Sequence, residues 1–241
     1  MSITSARAQQ CRNHLLSKLP DEQYQQLLPL FDLVQTKLKD VLCQQGQPIE
    51  YVYFPCTSAQ SCLVYMEDGN MVEVGTIGNE SHTNIEVLVG ATRATETIVC
   101  QIAGQSLRMK VGDFREAIST MSPLRHLAEC CAQGYLAQVS QSVACNRLHT
   151  VEMRFARWLL VTHDRVQGNE FNLTQEFLAA MLGVHRPSVS LVAGVFQQAG
   201  LIKYSRGHMK ILDREKLEET ACECYAAVRK QYQRLFGLPR G

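Results

Sequence analysis

The chain has 241 residues, 46% of them hydrophobic and 20% charged, with a formal net charge of +1. That apolar content excludes a disordered chain and allows one large domain or two ordinary ones. The net charge is too small to announce a nucleic-acid partner, but its distribution is uneven. Residues 1–148 carry 11 basic and 14 acidic side chains, residues 149–212 carry 7 and 4, and residues 213–241 carry 6 and 5. A mild basic excess therefore lies on one segment.

Ten cysteines raise the question of disulfides. The start, Met-Ser-Ile-Thr-Ser-Ala-Arg, has no apolar stretch of the kind a secretory signal needs. No run approaches the ~18 apolar residues of a membrane span. The expectation is a cytoplasmic chain with reduced thiols and no membrane partner. Cys130-Cys131 and Cys222-Glu-Cys224 are the closely spaced cysteines, with no C-x-x-C pair and no zinc-finger spacing. No metal and no cofactor is expected on that basis.

Taken in order, residues 6–18 alternate polar and apolar at helical spacing. Pro20-Asp21-Glu22 starts a second short helix that ends near Pro29, since proline and acids suit a first turn. From Phe31 the texture changes to short runs rich in Val, Tyr and Ile. Predicted strands cover 33–43, 49–54, 60–66, 71–77, 97–102 and 105–110. Their spacing of roughly ten residues, with polar turns, predicts an antiparallel β-barrel or jelly roll. Glu67-Asp68-Gly69-Asn70 is the clearest hairpin turn, because Asp-Gly tolerates positive φ.

A short helix from Phe114 to about Ile118 precedes a long one from Pro123 to about Asn146. Leu124, Ala128, Cys131, Tyr135, Gln138, Ser142 and Cys145 step by four and three, while Leu136, Val139 and Val143 form a second stripe. Two apolar stripes need two contacts, here its own barrel and a second copy of itself. Leu148-His149-Thr150 breaks the pattern and marks a domain boundary. Thr150 caps a helix over 151–166 that holds the single tryptophan, Trp158, expected in the core of a C-terminal domain.

Residues 172–212 carry the chemistry. Thr174 caps a helix with Gln175 and Glu176 in its first turn, and Gly183 suits a tight turn. A second helix begins at His185 or Arg186, with Pro187 where a missing N–H costs nothing. Val189, Val192 and Phe196 face inward, leaving Arg186, Ser190, Leu191 and Gly194 outward. A short strand pair with Ser205-Arg206-Gly207 at its tip completes a winged helix-turn-helix. In that motif the start of the second helix meets base edges in the major groove. Arg186 can fork onto guanine O6 and N7, or bind phosphate. Ser190 suits a base or a phosphate, Leu191 a thymine methyl, and Ser188 a phosphate or backbone group. Lys203, Tyr204, Ser205, Arg206 and His208 line the wing. The candidate DNA-binding set is Thr174, Gln175, His185, Arg186, Ser188, Ser190, Leu191, Lys203, Ser205, Arg206 and His208. Asp213-Arg-Glu-Lys-Leu then opens a last helix with Leu217, Ala221, Cys224, Val228, Tyr232 and Leu235 on one face, and Gly237-Leu-Pro-Arg-Gly is a frayed end.

With these motifs the chain resembles the Crp/Fnr family of bacterial transcription regulators. Leu-Thr-Gln-Glu-Phe-Leu-Ala-Ala-Met-Leu-Gly-Val-His-Arg-Pro-Ser-Val-Ser (173–190) and Gln-Ala-Gly-Leu-Ile (198–202) are similar to the family's DNA-binding signature. Gly46-Gln-Pro48, Tyr53-Phe54-Pro55 and Met66-Glu67-Asp68-Gly69 sit where its cyclic-nucleotide-binding-like barrel has early strands and turns. The resemblance implies an α+β chain: a sensor barrel over 1–120, a dimerisation helix over 121–147, a winged helix-turn-helix over 148–212 and a C-terminal helix over 213–241. It also implies a homodimer on double-stranded DNA at a roughly palindromic site, contact with RNA polymerase, and no enzymatic activity.

The chain departs from the family in its barrel. Members that bind cyclic AMP pair a Gly-Glu with a later Arg-Ser-Ala or Arg-Thr-Ala, and the stretch from Gly78 to Cys100 lacks that pair. Arg93-Ala94 resembles the second half but lies early, and Glu96 sits near the expected phosphate-binding position, where a carboxylate repels phosphate. No control by cyclic AMP is expected; Glu80, Glu86 and Arg93 stand as the candidate ligand-binding residues for an unidentified effector. Only Cys11 lies near the start, unlike the clustered cysteines of iron–sulfur members. His82 is the candidate haem ligand, although a lone loop histidine is usually solvated. Pro187 and Leu191 replace a usual acid and a frequent arginine, so the target site differs from the common one. The alternative function is a cytosolic redox- or ligand-sensing module acting through protein contacts, with Cys130, Cys131, Cys222 and Cys224 as its thiols.

Overall fold

The computed structural model describes residue 11, residues 13–166 and residues 168–237. Residues 6–10 and 12 of the helix predicted over 6–18 lie outside the described residues, and its end is a 3-10 turn over Leu16–Lys18. Helix α1 (Asp21–Leu27) starts behind Pro20 with Asp21 and Glu22 in its first turn. Seven strands follow: β1 (Asp32–Thr36), β2 (Val41–Cys43), β3 (Tyr51–Pro55), β4 (Ala59–Tyr65), β5 (Met71–Ile77), β6 (Thr97–Ile102) and β7 (Gly104–Lys110). They form two antiparallel sheets of order β1-β7-β3 and β2-β6-β4-β5, the expected antiparallel roll. The single strand predicted over 33–43 is two strands. The Asp40 carboxylate accepts the Lys37 N–H at 2.7 Å, and Lys39 turns the chain at φ 71°. β1 can then pair with β7 in one sheet and β2 with β6 in the other. The hairpin at Asp68-Gly69 forms as predicted, with Gly69 at φ 84°.

Cys11 and Cys56 form a disulfide with Cα atoms 5.5 Å apart, which corrects the expectation that every thiol is reduced. It ties the N-terminal segment to the end of β3. No single described helix is long and apolar enough to cross a membrane.

Helix α2 (Val111–Thr120) leads into α3 (Ser122–Leu148), 27 residues long. The predicted first stripe of α3 is buried from Leu124 through Cys145, except for the half-buried Tyr135. It packs on the chain's own barrel and terminal helix, while Leu136 and Val143 of the second stripe remain 66% and 68% exposed. The polar interruption at Gln138 has a physical reason. β5 is an edge strand, and Gln138 supplies the hydrogen-bonding neighbour it lacks. Its Oε1 accepts from the Thr76 N–H and hydroxyl, and its Nε2 donates to the Thr76 carbonyl, all at 3.0 Å. An amide side chain, with both donor and acceptor, satisfies an open edge as a strand would. Beside it the Tyr135 ring occupies the space that a Cβ on Gly75 would need.

Helix α4 (Val151–His163) is capped by Thr150, as predicted, and stops three residues early. The C-terminal region continues with β8 (Glu170–Asn172), α5 (Gln175–Leu182), α6 (Arg186–Gln198), β9 (Ile202–Ser205) and β10 (His208–Ile211). Trp158 is buried as expected, and it also reaches the barrel: its Nε1 donates to Glu73 of β5 at 2.8 Å. Leu63 and Val99 of the barrel share one apolar cluster with Phe155, Trp158 and Leu178. The single last helix predicted from Asp213 is broken into α7 (Arg214–Thr220) and α8 (Cys224–Phe236). Helix α8 turns back along α3 and inserts Tyr232 and Phe236 into the barrel's core. That return needs a break, because a continuous helix would carry both side chains away from the barrel. Gly237 closes α8 at φ 57°, and the rest of the predicted frayed end lies outside the described residues.

Candidate nucleic-acid interface

The Thr174 hydroxyl accepts the Phe177 N–H at 3.2 Å and starts α5, whose Phe177, Leu178, Met181 and Leu182 are buried. Gly183 ends it in the left-handed region at φ 60°, where a Cβ is unfavourable. Arg154 of α4 donates to the Leu182 carbonyl and secures this helix end. The axes of α5 and α6 bend by 107°, within the range of helix-turn-helix pairs. Pro187 lies in the first turn of α6, and Val189, Val192, Ala193 and Phe196 are buried. His185, Arg186, Ser190 and Leu191 are exposed, Leu191 by 69%, and Ser188 is half-buried.

The wing is a three-stranded sheet of order β8-β10-β9. β8 escaped sequence analysis because three residues, Glu170–Asn172, carry no periodic signal. The tip turns at Arg206 and Gly207, with φ 50° and 80°, the paired positive φ of a tight hairpin. Lys203, Ser205 and Arg206 are exposed.

Four candidates are engaged within the protein, Thr174 through the cap it forms on α5. The Ser190 hydroxyl donates to Gln175 Oε1 at 2.9 Å, which links α6 to the start of α5. His208 contacts Glu170 at 3.1 Å and Asn172 at 3.3 Å across the sheet, and Lys210 pairs with the same Glu170 at 2.6 Å. These groups brace the wing. Arg186, Lys203 and Arg206, by contrast, have no ion-pair partner among the described residues. Thr174, Gln175, Glu176, Arg186, Tyr204 and Arg206 line one open cleft of about 390 Å³ between helix and wing, and Glu176 forms no ion pair with either arginine. Fixed polar groups and two unpaired guanidinium side chains there can take a phosphate backbone or a base edge.

The candidate ligand residues of the barrel do not form one set. Glu80 is buried, accepts the Gly78 N–H at 3.1 Å and pairs with Arg165 of the C-terminal region at 2.6 Å. Glu86 accepts from the backbone and hydroxyl of Thr95. Arg93 donates to the Gly46 carbonyl at 2.8 Å and is exposed. Glu96 takes a hydrogen bond from Tyr135 of α3, and burial pushes its carboxyl above the usual range. His82 is a core residue and not the solvated loop histidine expected. It is fully buried against the rings of Phe54 and Phe114, and burial lowers its pKa to about 4.

Burial also pushes the thiols of Cys130 and Cys131 up, which makes them poor nucleophiles. Sequence spacing pointed to no metal ligands, but the fold gathers Cys145, His149, Cys222 and Cys224 into a group whose ligand atoms all lie within 4.8 Å of one another. The signal was two half-patterns, an i, i+4 Cys-His pair and a C-x-C, far apart in the chain.

Residues 153–220 match the family model of the Crp-like helix-turn-helix domain. This defines the class of that segment: a helix-turn-helix domain of the Crp type. A comparison with curated proteins finds no match. Among solved structures the chain is similar to FixK2 from Bradyrhizobium japonicum, with a TM-score of 0.69 at 15% identity, covering 80% of this chain and 98% of that one. A CRP-family transcriptional regulator from Thermus thermophilus gives 0.65 at 17%, covering 78% and 96%. The global regulator CLP from Xanthomonas campestris gives 0.63 at 13%, covering 80% and 100%. At such identities the likeness establishes the fold. Residues 153–220 are thus a Crp-like helix-turn-helix domain, and the chain as a whole shares the fold of these three proteins.

Proposed function

We propose that the protein is a homodimeric, sequence-specific DNA-binding regulator that inserts α6 into the major groove without control by cyclic AMP. The observation that carries this reading is the open cleft between helix and wing, where Arg186 and Arg206 form no ion pair among the described residues although Glu176 lines the same cleft. Arginines left unpaired beside an exposed helix start fit phosphates and guanine edges better than they fit an isolated protein surface. The stripe of exposed Leu136 and Val143 with half-buried Val139 between them on α3 supports a dimer, since a second copy can cover it with the same stripe. Glu80 and Glu96 are committed to Arg165 and Tyr135, which leaves no ribose-and-phosphate pair for a cyclic nucleotide. Contact with RNA polymerase and a cytoplasmic setting rest on the likeness to the family. A module acting only through protein contacts has no need for this cleft.

Selection of duplexes from a random pool by the purified protein tests the reading. The expected product is a two-fold-symmetric site whose affinity falls with salt. In Arg186→Ala, discrimination at one base position per half-site falls by about 1–3 kcal/mol, roughly 5- to 150-fold. A uniform loss over all sequences makes Arg186 a phosphate contact, and unchanged selectivity removes it from recognition.

A further inference from the structure

The group of sulfurs at the junction of α3, α4, α7 and α8 lies apart from both apolar cores. Cys145, Cys222 and Cys224 form a cluster of their own, 0%, 4% and 0% exposed. Cys145 occupies the last turn of α3, and His149 is that helix's C-cap, so both come from the domain boundary. Cys222 and Cys224 flank Glu223 at the break between α7 and α8. We propose that Cys145, His149, Cys222 and Cys224 bind a single zinc-class divalent ion that ties these elements together.

The distances match such an ion. Cys145 Sγ lies 3.5 Å from Cys222 Sγ, and Cys224 Sγ lies 3.5 Å from His149 Nδ1. A tetrahedral zinc with bonds of about 2.3 Å to sulfur and 2.0–2.1 Å to nitrogen sets its ligands ~3.8 Å apart for two sulfurs and ~3.5 Å for sulfur and nitrogen. Three cysteines and one histidine, nearly all enclosed, are the donor set of a closed structural site. The surroundings complete it. His149 Nδ1 faces the sulfurs while its Nε2 meets Glu223 at 3.3 Å, the carboxylate–histidine pairing that orients a metal-bound imidazole. Gln141 donates to Cys224 Sγ at 3.1 Å, which suits a thiolate. Arg154 and Arg157 of α4 place positive charge beside Cys145, opposite in sign to the net −1 of three thiolates and a dication. An iron–sulfur cluster spreads its cysteines over several irons, wider than the 4.8 Å seen here.

Binding replaces the thiol protons: three S–H protons leave to solvent and four metal–ligand bonds form, with no redox change. The ion would join the end of the long helix, the start of the DNA-binding region and the terminal helix, so its loss loosens the junction rather than either core. This inference is independent of DNA recognition.

Metal analysis of the full-length protein, purified with reductant, is the test. Zinc should be present at one ion per chain, and Co²⁺ exchanged into wild type should give the intense visible bands of tetrahedral thiolate coordination. Cys145→Ser and Cys222→Ser should lower metal affinity at least tenfold, with Cys62→Ser and Cys130→Ser unchanged. His149→Cys should keep the ion and shift the cobalt spectrum toward four sulfurs. If either serine variant fails to fold, the wild-type cobalt spectrum and the His149→Cys shift still decide. Iron with acid-labile sulfide, a Cys145–Cys222 disulfide in reductant-treated wild type, or cobalt bands unchanged in Cys222→Ser each overturn the proposal.

Discussion

Replacing Gln138 with methionine removes four hydrogen bonds while keeping side-chain length and helix propensity. Three go to Thr76 at 3.0 Å and one to the Tyr232 hydroxyl at 3.3 Å. Gln138 and Thr76 are 4% and 3% exposed, so water does not readily replace the lost partner. The variant leaves the Thr76 N–H and carbonyl orphaned on a buried strand edge. At about 1–3 kcal/mol for each orphaned group the cost is roughly 2–6 kcal/mol. For a chain of this size, that lowers Tm by roughly 5–20 °C. Differential scanning calorimetry on Gln138→Met measures it, with Gln133→Met, exposed on the same helix, expected within about 0.5 kcal/mol of wild type. A Gln138→Met protein that melts with wild type would refute the account of Gln138 as a surrogate strand.

Two further outcomes concern the contact between barrel and C-terminal region. Burial raises the Glu73 carboxyl to about 7, so between about pH 4.3 and 7 the folded state holds a proton that the unfolded state has released. Stability therefore falls as pH rises through that window, by about 4 kcal/mol, and Glu73→Gln flattens the profile. Because the Trp158 indole donates to Glu73, the emission of this single tryptophan should titrate near pH 7 in wild type and not in the variant; a pH-independent wild type defeats the assignment. Arg165→Met strands a buried Glu80 without its 2.6 Å partner and should cost about 3–5 kcal/mol. Adding Glu80→Leu should recover most of it, as read from denaturant midpoints, and a single variant as stable as wild type contradicts a role for this pair.

Residues 173–190 are legible as a helix-turn-helix because their logic is local. A cap, a buried face at helical spacing, Gly183 at positive φ and Pro187 in a first turn all act within one or two turns of chain. The roll is legible from strand spacing, but the split of 33–43 is not, since it depends on which sheet each half joins. The site residues divide in the same way. Arg186 and Arg206 are exposed where local geometry places them, whereas the bracing of His208 is hidden because Glu170 sits on a strand too short to predict. The burial of His82 is hidden too, because it is decided by Phe54 and Phe114, distant in sequence.

The amino-acid sequence alone determined the helix-turn-helix and the roll, because propensity, capping and periodicity are written over a few residues. Tertiary structure decided the rest. The last helix breaks at Cys222 so that Tyr232 and Phe236 can reach the barrel. Gln138 becomes a strand's missing neighbour, and Glu80 finds a cation 85 residues away. Two cysteine half-patterns, silent in their own segments, meet at one junction. Burial and pairing of these groups depend on what the chain brings back from far along its length, and no local pattern encodes that return.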